Sequence, residues 1–367
     1  MSQGIEKLKK IMVNANTDAV LISSVSNIIY LTGYSGFSNT EREAYLLITK
    51  TQQYIITDGR YSEAVLLHIP HFELIERTIK NTLDDIFKKL IKKHHIKKLG
   101  LEEDNLSVSE FKQIKKHYNN TYHYSLTAMR SVKDNDEIAR IEKACDLGDK
   151  TFDYILKKIK KGVSEKEIAF EIEFFIKKNG ADLSFPTIVA FGKNSAIPHH
   201  QSGNDILNNN QFVLLDFGVK LNNYCSDMTR TIFFGKPTEK QKKIYQVVLE
   251  SQKRAIDFLN TKYKILNTKT KSLKASDVDN AARDYIIEQN YPTIPHSLGH
   301  GIGIEVHEFP NISPNSKDIL KEGMVFSIEP GIYIPGFGGV RIEDLVVLEK
   351  QDPRLLTKSR KTLIELT

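Results

Sequence analysis

The chain has 367 residues, 40% of them hydrophobic and 27% charged, with a net charge of +6 at neutral pH. That length favours two domains, and the composition is that of a globular protein rather than a fibrous or disordered one. The two cysteines, Cys145 and Cys225, exclude a disulfide framework, and no apolar run is long enough to cross a bilayer.

The charged, helical start (QGIEKLKKIM) has no signal-peptide pattern. A cytoplasmic protein with free thiols is expected. From residue 1 to about 127 short strand-like runs at 19–23, 44–49 and 54–57 alternate with helical patterns at 5–12, 62–68, 83–94 and 109–117. This is enough for a small α/β domain with its own core. The densest basic run, 88–98, reads as a solvated helix face with Leu90, Ile91 and Ile96 turned inward. Without interleaved aromatics it does not read as a nucleic-acid patch. Asp58-Gly59 is a turn signal, so Arg60 and Tyr61 read as parts of a turn rather than as substrate contacts.

A boundary falls at 125–131. Residues 134–160 then read as one amphipathic helix stopped by Gly162, and Ser164 with Glu167 forms a capping box for the next helix, which ends near Gly180. Residues 186–192 form a buried strand leading into a loop with His199 and His200. Long helices are predicted at 238–260 and 276–289, the second with Ser276 as a possible cap, joined by a Lys-rich surface connection at 262–274.

Three stretches carry the chemistry: 212–234 (FVLLDFGVKLNNYCSDMTRTIFF), 296–310 (HSLGHGIGIEVHEFP) and 323–348 (GMVFSIEPGIYIPGFGGVRIEDLVVL). The first reads as a hairpin turning near Leu221, Asn222 and Asn223. A turn at Leu221-Asn222 sets Asp216 opposite Asp227; a turn at Asn222-Asn223 makes them diagonal neighbours on one face; a three-residue loop separates them. Two like charges on one face are destabilising unless a cation lies between them. In the third stretch Glu329 ends a strand, and Arg341 and Glu343 share a face of the next by the two-residue period. Gly299, Gly301 and Gly303 permit close approach around His300, flanked by His296 and His307. Cys225 shares the face of Asp227 but reads as a small buried residue. Four carboxylates and one imidazole form an oxygen-rich set suited to Mn²⁺, Co²⁺ or Fe²⁺, and less specifically Zn²⁺; so many acids fit two ions better than one.

These stretches resemble the catalytic half of the pita-bread metallopeptidases, a family of methionine aminopeptidase, aminopeptidase P, prolidase and creatinase, and within it the proline-specific branch. All five ligand positions recur in order from about residue 131 to the end. More weakly, NIIYLTGYSGF followed by TDGRY resembles the family's N-terminal domain, whose role there is dimerisation and covering the mouth of the site. The resemblance implies an α/β (α+β) protein: a creatinase/prolidase-like domain at 1–127 and a pita-bread catalytic domain at 131–367, built from two related halves. It implies a homodimer with two divalent ions per subunit, Mn²⁺ foremost, bound by Asp216, Asp227, His300, Glu329 and Glu343. Asp227 and Glu343 would bridge the ions, Asp216 would bind one, and His300 and Glu329 the other. A hydroxide bridging the ions would attack the peptide bond, with Glu329 taking its proton and His199 and His307 facing the substrate carbonyl. His296, Tyr333 and Arg341 would shape the proline side. The implied substrates are short peptides with proline second, without nucleic-acid or membrane partners. TDGRY favours an Xaa-Pro aminopeptidase. The alternatives are a dipeptide-restricted prolidase, a creatinase-like amidinohydrolase, disfavoured by the full ligand set, and an inactive relative serving as a binding module.

Overall fold

The computed structural model describes residues 3–266, 272–350 and 352–367. The chain divides into two compact units, Met1–Met129 and Arg130–Thr367.

The first unit is built on a six-stranded mixed sheet in the order Glu73–Glu76, Gln53–Thr57, Ala44–Thr49, Ala19–Ile22, Leu99–Leu101, Thr121–His123. Its central strands are buried along their whole length, which is why they read as continuous apolar runs rather than alternating ones. One face packs on Ile5, Leu8, Met12, Ile28 and Leu31; the other packs on Ile86, Phe87, Leu90 and Ile114. The helix Leu83–Lys93 turns Leu90 inward and carries its lysines outward, as the basic run predicts. Asp58 accepts from the backbone N–H of Arg60 at 3.1 Å and from its Nε at 2.9 Å, so the DGR segment is a turn closed on itself. The helix Val25–Thr32, which runs into the NIIYLTGYSGF stretch, is an element the sequence reading does not include.

The second unit holds two α/β halves. In the first, the helices Asn135–Ile155 and Glu165–Lys178 cover an antiparallel sheet containing Ile188–Phe191, Gln211–Phe217 and Met228–Phe234. Ile155, Ile168 and Ile172 meet Val189, Val213, Leu215 and Ile232 in one core. In the second, Glu239–Leu266 and Ala275–Glu288 cover a five-stranded sheet in the order Glu308–Ile312, Gly299–Gly301, Val325–Ile328, Asp344–Leu348, Pro353–Leu355. There Ile244, Val248, Ala282 and Ile286 meet Phe326, Ile328 and Val346. Burying one apolar face of each sheet under two helices leaves the functional ends of both hairpins to meet.

Several boundaries differ from the sequence reading. The first long helix stops at Ile155 rather than running to 160, and Asp134 with Glu137 gives it a capping box. The Ser164–Glu167 box is present as predicted. Ser276 is not a cap: the helix begins at Ala275, and Lys274 precedes it without a side-chain cap. The helix predicted to end at 260 runs to Leu266, so the start of the Lys-rich connection is helical, while its 267–271 part lies outside the described residues. The run VRIEDLVVL is not one strand. Gly338–Arg341 pairs with Gly331–Ile334 in a separate two-stranded sheet, and Asp344–Leu348 joins the five-stranded one. Glu343 sits in the break.

Candidate metal centre

The register of the first hairpin resolves the alternatives left open by the sequence. Phe217 pairs with Met228 and Asp216 with Thr229, and the turn is at Asn222-Asn223, both in the left-handed region at φ 50° and 71°. Asparagine tolerates that conformation, which suits a two-residue hairpin turn. Asp216 and Asp227 are therefore diagonal neighbours on one face. Between them the ladder breaks at Gly218, where a Cβ would lie 2.2 Å from the carbonyl of Ser226. The break lets both aspartates turn into the cavity.

His300 ends in the same cavity. Its Nδ1 lies 3.1 Å from the carbonyl of Gly301; a carbonyl only accepts, so Nδ1 carries the proton. Burial holds the imidazole below its usual pKa, so it is neutral and Nε2 presents a lone pair. That lone pair faces carboxylate oxygens, Glu329 Oε1 at 3.4 Å and Asp227 Oδ2 at 3.6 Å. Acceptors thus face acceptors. The ligand atoms of Asp227, His300 and Glu343 lie within 4.8 Å of one another. Among the described residues, Asp227 Oδ1 and Glu343 Oε1 are buried without a hydrogen-bond partner.

Burial, followed by the charges of Glu343, Asp216 and Glu329, pushes the Asp227 carboxyl far above the usual range. Burial and then Glu329 and Asp216 do the same to Glu343. Burial raises Glu329 to about 8, with Arg341 opposing and Asp216 adding to the rise. A crowded set of acids with orphaned oxygens and an imidazole lone pair turned toward them needs a cation. The donor set fits one or more divalent ions.

Asp216 is differently placed. Its Oδ2 accepts from Arg341 Nη2 at 2.5 Å. Arg341 Nη1 donates to the hydroxyl of Tyr333 at 2.9 Å, and that hydroxyl donates to His296 Nε2 at 2.9 Å. The direction follows from His296 Nδ1, which is 2.7 Å from the carbonyl of Ser297 and must carry the proton of a ring whose pKa burial lowers to about 4. Burial raises the Tyr333 phenol to about 12. So His296, Tyr333, Arg341 and Asp216 form one connected chain beside the acids.

His199, His307, His296 and Arg341 line a cavity of about 720 Å³ together with all five candidate ligands. Phe185, Pro186 and Ile188 give it an apolar wall. Tyr333 is not on the wall and lies behind it. His199 and His307 are exposed, and His307 stands edge-on to His300 with ring centres 4.4 Å apart. Cys225 is not on the wall either: its thiol points to the carbonyl of Ile304 at 3.4 Å, and burial pushes it up to about 11.

Residues outside the sequence prediction hold these groups in place. Thr229 donates to Glu343 Oε2 at 2.8 Å and accepts from Arg341 Nε at 3.0 Å. Ser327 donates to Glu329 Oε1 at 3.1 Å and accepts from the backbone N–H of His300 at 3.0 Å. The period of two offers a signal for both, since each stands two residues from an acid on the same strand face. Gln252, fully buried on the helix Glu239–Leu266, donates to the carbonyls of Ile328 and Ile342 at 3.1 and 3.2 Å, and so ties together the peptides preceding Glu329 and Glu343. No local pattern marks it.

Comparison with known proteins gives the family. Residues 139–350 match the family described as Metallopeptidase family M24, and residues 5–132 match the Creatinase/Prolidase N-terminal domain. The chain belongs to metallopeptidase family M24. A protein named Xaa-Pro dipeptidase from Pyrococcus horikoshii is 36% identical over 375 residues, covering 99% of both chains. A solved structure titled Xaa-Pro dipeptidase from Bacillus anthracis superposes with a TM-score of 0.89 at 36% identity, covering 99% of both chains. Another, an X-Pro aminopeptidase from Thermotoga maritima, gives 0.84 at 33% identity, covering 96% of this chain and 98% of that one. The expected α/β organisation, a creatinase-like N-terminal domain before a pita-bread domain, holds for this chain. The family is one of metal-dependent peptidases, and the acid cluster agrees with that. Among the described residues no helix is long and apolar enough to cross a membrane.

Proposed function

We propose that the chain is an Xaa-Pro dipeptidase of family M24, hydrolysing dipeptides with proline second. The observation that carries this is full-length similarity, at 36% identity, to proteins named Xaa-Pro dipeptidase. This supports the dipeptide-restricted alternative better than the aminopeptidase reading that TDGRY favoured; the DGR segment is a closed turn, which is a poor basis for choosing a substrate.

In this reading Asp216, Asp227, His300, Glu329 and Glu343 hold divalent ions, with Mn²⁺ the first candidate. The bound ions supply an acidified water and a polarised scissile carbonyl. Glu329 accepts the proton of the attacking water, with Ser327 fixing its carboxylate. His199 and His307, exposed on the cavity wall, donate to the substrate carbonyl oxygen as charge develops there. His296 and Arg341, braced by Tyr333, shape the side that receives the proline ring. Partial desolvation in the cavity, with His300 and His199 adding to it, keeps His307 below its usual pKa, so it is a neutral donor at neutral pH. An Xaa-Pro bond has no amide N–H, so a site that recognises it must grip the ring and the carbonyl instead. The enzyme acts as a homodimer in the cytoplasm.

The second reading, an Xaa-Pro aminopeptidase acting on longer peptides, is favoured by the likeness to the Thermotoga maritima protein. Assay of Leu-Pro against Leu-Pro-Gly and Met-Ala-Ser in Mn²⁺ separates them. The dipeptidase cleaves only the first. Cleavage of Leu-Pro-Gly installs the aminopeptidase, and release of methionine with both proline peptides intact removes the proline specificity altogether.

A further inference from the structure

Among the described residues, Glu165 is the second unit's most fully engaged buried carboxylate away from the acid cluster. Its side chain has no exposure, and it accepts four hydrogen bonds. Oε1 takes the backbone N–H of Phe191 at 2.8 Å and Asn194 Nδ2 at 2.9 Å. Oε2 takes His200 Nε2 at 2.7 Å and the backbone N–H of Gly203 at 3.0 Å. The first two donors belong to the end of the strand Ile188–Phe191 and the turn after it. The other two lie on the loop that carries His199, just after it.

That loop is therefore held from two sides. Arg341 Nη1 donates to the carbonyl of Pro198 at 3.3 Å from the direction of the acids. Glu165 holds His200 and Gly203 from the helix Glu165–Lys178. The two adjacent histidines divide: His199 lines the cavity, while His200 does not and turns to Glu165. A substrate-facing side chain on a loop is only as well placed as the loop, and a displacement of about 1 Å can cost roughly 100-fold in rate.

We infer that Glu165 and His200 are positioning residues for His199, a hydrogen-bonded pair whose function is to fix the loop against the strand so that the neighbouring imidazole meets the substrate carbonyl. This rests on the role proposed for His199 above. Nothing in the pair touches the acids or the cavity, so its effect on turnover passes through the loop.

The test is a double-mutant cycle on the Mn²⁺-loaded enzyme with Leu-Pro, using His199→Ala, His200→Ala and the double variant. His200→Ala should lower kcat by ~10- to 100-fold with KM changed less than about threefold. His200→Gln, which places an amide N–H where Nε2 was, should recover most of that loss. In the His199→Ala background His200→Ala should cost nothing further. Hydrogen exchange should quicken at the amides of residues 200–203 in His200→Ala and stay unchanged in the strand Met228–Phe234. The inference is overturned if His200→Ala keeps kcat within threefold of wild type, if it costs the same factor with and without His199, or if exchange quickens across the whole sheet. Unchanged kcat in His199→Ala would instead overturn the role given to His199, a separate failure.

Discussion

Stripping the divalent ions should leave a protein whose second unit loses stability as pH rises, and Glu329 is the group to follow. Its folded pKa stands at about 8 against an ordinary 4.5, with burial the main cause. Below pH 4.5 both folded and unfolded chains hold the proton, and Glu329 contributes no difference. Between 4.5 and 8 the unfolded chain releases the proton while the folded one keeps it, so stability falls with rising pH. Each pH unit in that window is about 1.4 kcal/mol, which gives a ceiling of ~5 kcal/mol by pH 8. Asp227 and Glu343 act in the same direction but share protons with Glu329, so their effects do not simply add. At roughly 2–4 °C per kcal/mol for a unit of this size, the ceiling is a melting point lower by ~10–20 °C. The assay is thermal unfolding of chelator-treated wild type and Glu329→Gln at pH 5, 6.5 and 8. Subtracting the variant isolates this carboxyl from the ordinary acids, whose pH dependence runs the other way. The variant should gain on wild type as pH rises, and Mn²⁺ should abolish the gain by neutralising the cluster. A difference between the two proteins that stays constant from pH 5 to 8 would refute the reasoning.

Two further substitutions test the centre. Asp227→Asn should lose most bound Mn²⁺ by elemental analysis and most activity, while its metal-free melting point at pH 8 equals or exceeds that of wild type, because the folded chain no longer has to keep a proton on that buried carboxyl. Thr229→Val removes the donor to Glu343 Oε2 and the acceptor for Arg341 Nε; Mn²⁺ affinity should fall by roughly 10- to 100-fold, the usual cost of losing a ligand's supporting hydrogen bond, as measured by competition with a chelating dye.

What was legible in the sequence follows from which forces are local. The first hairpin could be narrowed to a few registers because the side-chain period is two and Asn222-Asn223 is a turn signal; the left-handed torsions of both asparagines then select one register. The Ser164–Glu167 box was legible because its bonds span three residues. The break at Glu343 was not legible. VRIEDLVVL has the apolar pattern of a single strand, and what interrupts it is distant: Gly339 packs so closely that a Cβ would sit 2.3 Å from the carbonyl of Ser195, and the amide of Glu343 bonds to the carbonyl of Thr229. Gln252, and the pairing of His200 with Glu165, were hidden for the same reason, since their partners lie 35 to 90 residues away in the chain.

The positions of the acids relative to strand ends explain how the two halves are joined. Asp216 and Asp227 flank the break at Gly218, Glu329 follows the end of Val325–Ile328, and Glu343 lies between two strands belonging to different sheets. A strand interior satisfies its backbone within its own sheet, so a side chain there is fixed only relative to that sheet. At a strand end the backbone is free to bond elsewhere. Glu343 N–H does so, reaching Thr229 in the other half at 3.1 Å, and Glu329 N–H reaches the carbonyl of Leu298 at 2.8 Å. On the far side of the same strands, Arg230 donates to the carbonyl of Glu343 and, at 2.7 Å, to Asp344. The bonds that aim Glu343 are thus bonds that join the aspartate hairpin to the glutamate strands, while those of Glu329 stay within its own half. An error in the spacing of the halves must break buried hydrogen bonds as well as disperse the acids, so the geometry of the centre is held by the packing of the whole second unit.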